Sequence, residues 1–135
     1  MVFTQDRMDS EKFCSIYEQT VHAFGQEKYY GRYKLVQDNA PVHTSRFTRA
    51  RLAQLGVDVM DWPPESPDLN VIELVWAEMK NYVRNNCAGH TLSDLKTALY
   101  SFWGTLSKEK CRRYISHVPT AIDKVIEAKG GNFVE

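Results

Sequence analysis

A chain of 135 residues fits one domain, 1–135, and its 43% apolar and 12% aromatic content can bury a core, which excludes a disordered polypeptide. Seventeen Lys plus Arg balance seventeen Asp plus Glu, so a net charge of zero speaks against binding nucleic acid by bulk attraction. Three distant cysteines, no C-x-x-C and four scattered histidines exclude a disulfide framework or a zinc site of ordinary spacing, and no apolar run nears the ~20 residues of a membrane span.

The opening stretch, "MVFTQDRMDSEK", lacks the apolar segment of a signal peptide, and the cysteine usage suits a reducing compartment. Val2 to Thr4 is a short strand candidate. Asp9 or Ser10 caps a helix carrying Phe13, Ile16, Tyr17, Thr20 and Val21 at helical spacing, with Phe24-Gly25 as its end. Tyr33 to Gln37 reads as a buried strand, and Asp38 to His43 as a loop. Thr44 or Ser45 caps a helix that stops at Gly56, and Val57, Val59 and Met60 make a second short strand.

"WPPESPDLN", Trp62 to Asn70, is a proline-stiffened loop. The helix after it has one apolar stripe, Ile72, Val75, Trp76, Met79, Tyr82 and Val83, ending near Asn85-Asn86. Another helix runs from Thr91, and one starts near Ser107. Pro119 marks a break, after which Ile122, Val125 and Ile126 continue helically to Gly130-Gly131. Strands alternating with helices, then helices alone, give an α/β class with a helical end.

Several charged residues have two readings. Asp38 stands where a strand stops, the place where open α/β sheets bind ligands, and a carboxylate there suits a hard metal ion. Asp-Asn-Ala-Pro is equally good Asx-turn chemistry. Glu73 lies in the first turn of its helix, free to face the strand ends, yet Asn70 and Glu73 also have capping-box spacing. Asp61, Glu65 and Asp68 around the proline loop read as solvated or capping. His43 can orient a phosphate or a metal-bound water, or serve structure alone. Arg46, Arg49 and Arg51 can meet phosphate or form a solvated helix face.

Two segments together carry more information. "VQDNAPVHTS" (Val36 to Ser45), followed by "WPPESPDLNVIELVW" (Trp62 to Trp76), resembles the catalytic domain of mariner-superfamily transposases. That family carries three carboxylates, Asp, Asp and Glu, on a ribonuclease H-like fold. Asp38 falls on its second Asp and Glu73 on its Glu, with 34 residues between them, and Ser66 to Asn70 matches residue for residue. "MVFTQDRMDSEKF" and "VPTAIDKVIEAKGG" (Val118 to Gly131) are similar to flanking parts of the same domain. Val42 departs from a frequent Lys and Val71 from a usual Pro.

The resemblance implies a truncated ribonuclease H-like fold, strands three to five with the following helices, lacking the first strands. It implies that the family's first Asp lies upstream on the first strand, that Asp6 and Asp9 do not replace it, and that the DNA-binding helix-turn-helix region is absent. Asp38 and Glu73 are then the inherited catalytic and metal-binding residues, able to hold one ion weakly but not a pair ~3.5–4 Å apart. The expectation is a transposase-derived, catalytically incomplete remnant that serves as a nuclear protein-interaction module. A protein partner or a homodimer would complete its sheet at an open strand edge. That role requires no cofactor; catalysis would require Mg or Mn. One alternative is a metal-dependent DNA endonuclease or strand-transferase core whose first Asp comes from elsewhere. The other is a non-catalytic, weak DNA binder using His43, Arg46, Arg49, Arg51, Lys80, Arg84, Arg112 and Arg113. No membrane contact is expected.

Overall fold

The computed structural model describes residues 2–4, 6–63, 66–87, 89 and 91–129. Residues 1–64 and 65–135 form two units, each with its own buried side chains.

In the first unit Asp9 starts helix α1 (Ser10–Tyr17), its carboxylate accepting the Lys12 N–H at 2.8 Å. The helix continues through a π-turn, Glu18–His22, into α2 (Ala23–Tyr29). Thr20 donates its hydroxyl back to the Ile16 carbonyl in that turn, at 2.6 Å. The expected stop at Phe24-Gly25 does not occur. The helix passes through Gly25 and ends where Tyr30 (φ 54°) and Gly31 (φ 73°) turn left-handed. Gly25 is buried beneath the Tyr33 ring, so its missing side chain serves a close approach and not a termination. Tyr33 is held there by the Tyr17 hydroxyl and His22 Nδ1, each 2.8 Å from its own hydroxyl.

Strands β1 (Lys34–Leu35) and β2 (Asp58–Val59) pair in parallel, Lys34 opposite Asp58 and Leu35 opposite Val59, and Met60 N–H extends the ladder to the Leu35 carbonyl at 2.9 Å. Both are the expected strands, shortened, but the first is not the buried strand expected: Lys34 is exposed and Leu35 half-buried, because β1 pairs on one side with a single short neighbour among the described residues. Parallel neighbours need a long crossover, and α3 (Pro41–Thr44) with α4 (Arg46–Gln54) supplies it. The expected loop from Asp38 to His43 therefore contains a helical turn, begun by Pro41 at its first position. Ser45 caps α4, accepting from Thr48 N–H at 3.1 Å, and Gly56 at φ 67° turns the chain into β2. Cys14, Tyr17 and Leu52 are buried, with the fully buried Thr48 hydroxyl donating to the Val42 carbonyl at 2.6 Å. Arg51 reaches from α4 to the π-turn and grips the Glu18 carboxylate with two hydrogen bonds of 2.6 and 2.7 Å.

Val2 to Thr4 form no strand. A strand exists only through its ladder, and among the described residues the sheet consists of β1 and β2 alone.

The second unit begins with a short 3₁₀ turn, Pro67–Leu69, and then has α5 (Val71–Asn86), α6 (Leu92–Gly104) and α7 (Lys108–Glu127). The apolar stripe of α5 turns inward at Val75, and Phe102 of α6 and Ala121 of α7 are fully buried. A capping box closes the start of α6: Asp94 N–H donates to Thr91 Oγ1 and Thr91 N–H to Asp94 Oδ2, both at 3.2 Å. Ser107 caps α7. The expected break at Pro119 is absent, and α7 runs straight through it. An interior proline costs about 3 kcal/mol; the apolar face around the fully buried Ala121 offsets this by packing against α5. Gly130-Gly131 and Glu65 lie outside the described residues. The architecture is thus α/β, mostly helical, with a two-stranded parallel sheet and a helical C-terminal end.

A polar clasp joins α5 to α7. Glu78 accepts from both the Lys110 ammonium and the Tyr114 hydroxyl. The Lys110 bond, then the Tyr114 bond, hold the Glu78 carboxyl below its usual range, while burial and the same contact push Tyr114 up to about 12. Glu78 is 45% exposed, so solvent screens the pair. Glu78→Gln is expected to cost about 1 kcal/mol. Because the folded Glu78 pKa is depressed, its contribution is present above the unfolded carboxyl pKa and disappears as pH falls through the folded value. Because the Tyr114 pKa is raised, its contribution is lost as pH rises from about 10 to about 12. Denaturant titrations across pH should show both flanks, with the acid one shallower in Glu78→Gln.

Candidate active site

Asp38 follows β1 by three residues, at the carboxyl end of the parallel pair. The Asp-Asn-Ala-Pro stretch does form the turn its composition suggests: Asp38 Oδ1 accepts the Ala40 N–H at 3.0 Å. His43, on the helical turn that Pro41 starts, places Nδ1 2.6 Å from the same oxygen. An ionised carboxylate is acceptor-only, so Nδ1 carries the hydrogen. The Ala40 amide first, and His43 second, hold the Asp38 carboxyl below its ordinary range. Asp38 is an exposed anion at neutral pH, 64% accessible, beside a histidine only 22% accessible.

This pair lines a cavity of about 400 Å³. Gln37, Asn39, Arg49 and Trp62 share its wall with them, and Leu52 and Val57 are among its apolar surfaces. Asn39 Nδ2 donates to the Trp62 carbonyl at 3.4 Å, drawing the proline-rich stretch towards the turn. Among the described residues Gln37 Oε1 is buried without a hydrogen-bond partner, while its Nε2 donates to the His43 carbonyl at 3.4 Å. Neither Gln37, Asn39 nor Trp62 was singled out by reasoning from sequence. The signal available was their adjacency to Asp38 in "VQDNAP" and the tryptophan that opens "WPPESP".

The other candidates separate. Arg49 joins the Asp38 cavity, while Arg46 stands exposed on α4 outside its wall. Arg51 is spent on Glu18 and is not free to meet phosphate. Glu73 belongs to the second unit, half-buried in the first turn of α5. The expected capping box with Asn70 is not the one formed. Asn70 Oδ1 accepts from Ile72 N–H, at 3.4 Å, and the Glu73 N–H bonds the Asn70 carbonyl, at 2.9 Å. The Asn70 side chain reaches the second amide of the helix in place of the third. Glu73, Lys80 and Arg84 are spaced so that they share one stripe of α5. Lys80 and Arg84 are exposed there, as Arg112 and Arg113 are on α7.

The donor set can be tested against a hard divalent cation. Asp38 offers an ionised oxygen ligand of the right kind. Among the described residues no three His, Cys, Asp or Glu side chains converge on one point. Asp38 therefore fits as a single ligand, and the described chain does not by itself form a closed site. Among the same residues no helix is long and apolar enough to cross a membrane.

A profile of the DDE superfamily endonucleases matches residues 1–96. The transposable element Tc1 transposase of Caenorhabditis elegans is 30% identical over 129 residues, covering 93% of this chain and 46% of the transposase. The chain thus spans about half the length of that relative. The crystal structure of the catalytic domain of Mos1 mariner transposase superposes with a TM-score of 0.83 at 20% identity, covering 98% of this chain and 68% of that domain. The same catalytic domain solved with raltegravir and Mg gives a TM-score of 0.80 at 20% identity, covering 96% of this chain and 67% of that one. At this identity the likeness is one of fold, and the fold is the ribonuclease H-like one.

Proposed function

The chain belongs to the DDE superfamily of endonucleases, and from that premise we propose that it is a catalytically incomplete portion of a transposase catalytic domain, which contributes two carboxylates and acts through a protein partner. The observation that carries this reading is Asp38, kept ionised at the end of β1 by Ala40 and His43, on a sheet where β1 has β2 as its one described neighbour. Among the described residues the other edge of β1 is unpaired, and it is the place for a further strand, whether from another part of a longer chain, a second copy or another protein, because open N–H and C=O groups template strand addition. A polypeptide laid there would enter the sheet beside the strand that leads to Asp38.

In this reading Asp38 would be one ligand of a divalent ion, Mg²⁺ or Mn²⁺, which when bound supplies Lewis-acid polarisation of a phosphate oxygen, and Glu73 is the second inherited carboxylate. Ala40 N–H and His43 Nδ1–H fix the Asp38 carboxylate. Arg49 in the cavity, Arg46 on α4, and Lys80 and Arg84 beside Glu73 on α5 offer positive charge to a DNA backbone. In this reading the protein acts in the nucleus, where such a DNA backbone is found.

The test is plasmid nicking by the purified chain in Mg²⁺ and Mn²⁺, with Asp38→Ala as control. The expected result is no nicking above the control, together with a self-association or partner complex detectable by light scattering. Nicking that disappears in Asp38→Ala would show a complete site and replace this proposal with that of a working endonuclease.

A further inference from the structure

Both hydrogen bonds to the Asp38 carboxylate land on the same oxygen. Ala40 N–H and His43 Nδ1 reach Oδ1 at 3.0 and 2.6 Å, and among the described residues Oδ2 receives none. An unrestrained aspartate exchanges its two oxygens by rotation about a soft terminal torsion. Here that rotation would break both bonds.

His43 is itself held on three sides. Its N–H donates to the Ala40 carbonyl at 2.9 Å, and its carbonyl takes Gln37 Nε2 at 3.4 Å. Its ring lies against Phe13 of α1, with centroids 4.6 Å apart and planes tilted by 49°. The donor is thus positioned by packing before any ligand arrives, while the acceptor, Asp38, is the exposed member of the pair.

We infer that His43 is a positioning residue. It donates Nδ1–H to Asp38 Oδ1, so that Oδ2 alone is left for a hard divalent cation, and its role is not a direct grip on DNA. The inference rests on the reading of Asp38 as a metal ligand. Hydrogen-bonded partners behind a ligand set its orientation, and their loss typically costs 10–100-fold in metal affinity. A histidine recruited for phosphate would show the reverse dependence, losing DNA affinity with no change towards the metal alone.

The experiment measures binding of Mn²⁺ alone to the purified chain, by the electron paramagnetic resonance signal of free Mn²⁺. Asp38→Asn, His43→Phe and His43→Asn are compared with the unmodified chain. His43→Phe keeps a ring against Phe13 and removes the donor; His43→Asn keeps an N–H near the Nδ1 position. Expected are loss of binding in Asp38→Asn, about 10-fold weaker binding in His43→Phe, and near-normal binding in His43→Asn. Unchanged affinity in His43→Phe beside a loss in Asp38→Asn would overturn the positioning role and leave the metal reading standing. Unchanged affinity in Asp38→Asn, or no saturable Mn²⁺ binding by the unmodified chain, would overturn the metal reading and this inference with it. Nitrogen-15 NMR of the unmodified chain tests the contact without any substitution. His43 must carry its proton on Nδ1, and a ring protonated at Nε2 alone would refute the donation.

Discussion

Phe102→Ala is expected to destabilise the second unit by about 3–5 kcal/mol, the usual cost of emptying a buried phenylalanine site. Phe102 has no exposed surface. Tyr82 of α5 lies against it with ring centroids 5.6 Å apart, and the Lys110 ammonium of α7 sits 5.4 Å from its ring centre. The same Lys110 serves Glu78, so the ring supports the clasp between α5 and α7 as well as the apolar contact between α5 and α6. Truncation to alanine opens a void, removes the aromatic face beneath Lys110 and loosens the Glu78 clasp together. Against a total stability of order 5–15 kcal/mol, such a loss is large. Hydrogen exchange followed residue by residue should show the amides of α5, α6 and α7 losing protection while those of α1 and α4 keep theirs. Equal loss in α1 and α4 would show that the two units unfold as one. A change below about 1 kcal/mol in denaturant titration would mean the site collapses around the vacancy.

Gly25→Ala is expected to destabilise, although the same change inside an ordinary helix stabilises by about 1 kcal/mol. A Cβ at this position would stand 2.7 Å from Tyr33 Cδ1, well inside contact. The Tyr33 ring cannot simply swing away, since its hydroxyl is bonded to Tyr17 and to His22. Overpacking of this kind costs about 1–3 kcal/mol. The sign should reverse in a Tyr33→Ala background, where no ring remains to be displaced and only the helix propensity is left. A double-mutant cycle by thermal unfolding measures this directly. Stabilisation by Gly25→Ala in the unmodified chain would show that Tyr33 does not lie across α2.

Much of this protein was legible in its sequence because the relevant physics is local. Asp9, Ser45, Thr91 and Ser107 open their helices as capping chemistry requires, since a side-chain oxygen needs only an amide two or three residues on. The period of α5 and the two short strands follow from alternation and spacing in the same way. The segments "VQDNAPVHTS" and "SPDLN" were sufficient to place the chain among mariner-like transposases, and the DDE profile agrees.

The misreadings share one cause. Gly25 looked like a stop and Pro119 like a break because both are judged locally by the backbone they disfavour. In the fold, Gly25 admits the ring of Tyr33, eight positions away and held by hydrogen bonds to Tyr17 and His22, and Pro119 sits in a helix held by its packed face. Val2 to Thr4 had a strand's composition and no described partner strand, and composition makes no ladder. Arg51 seemed one of three equivalent arginines until α4 lay beside the π-turn and gave it Glu18. Asp38 posed a choice between turn residue and ligand that the sequence left open. The structure shows that the turn leaves an oxygen over, because Ala40 and His43 both bond Oδ1. The sequence by itself determined the family, the helix starts and the carboxylates worth watching, all of which depend on neighbours within a few residues. Only the tertiary structure decided which charges are spent, which glycine is a contact and which oxygen remains available, because each depends on a side chain distant along the chain and close in space.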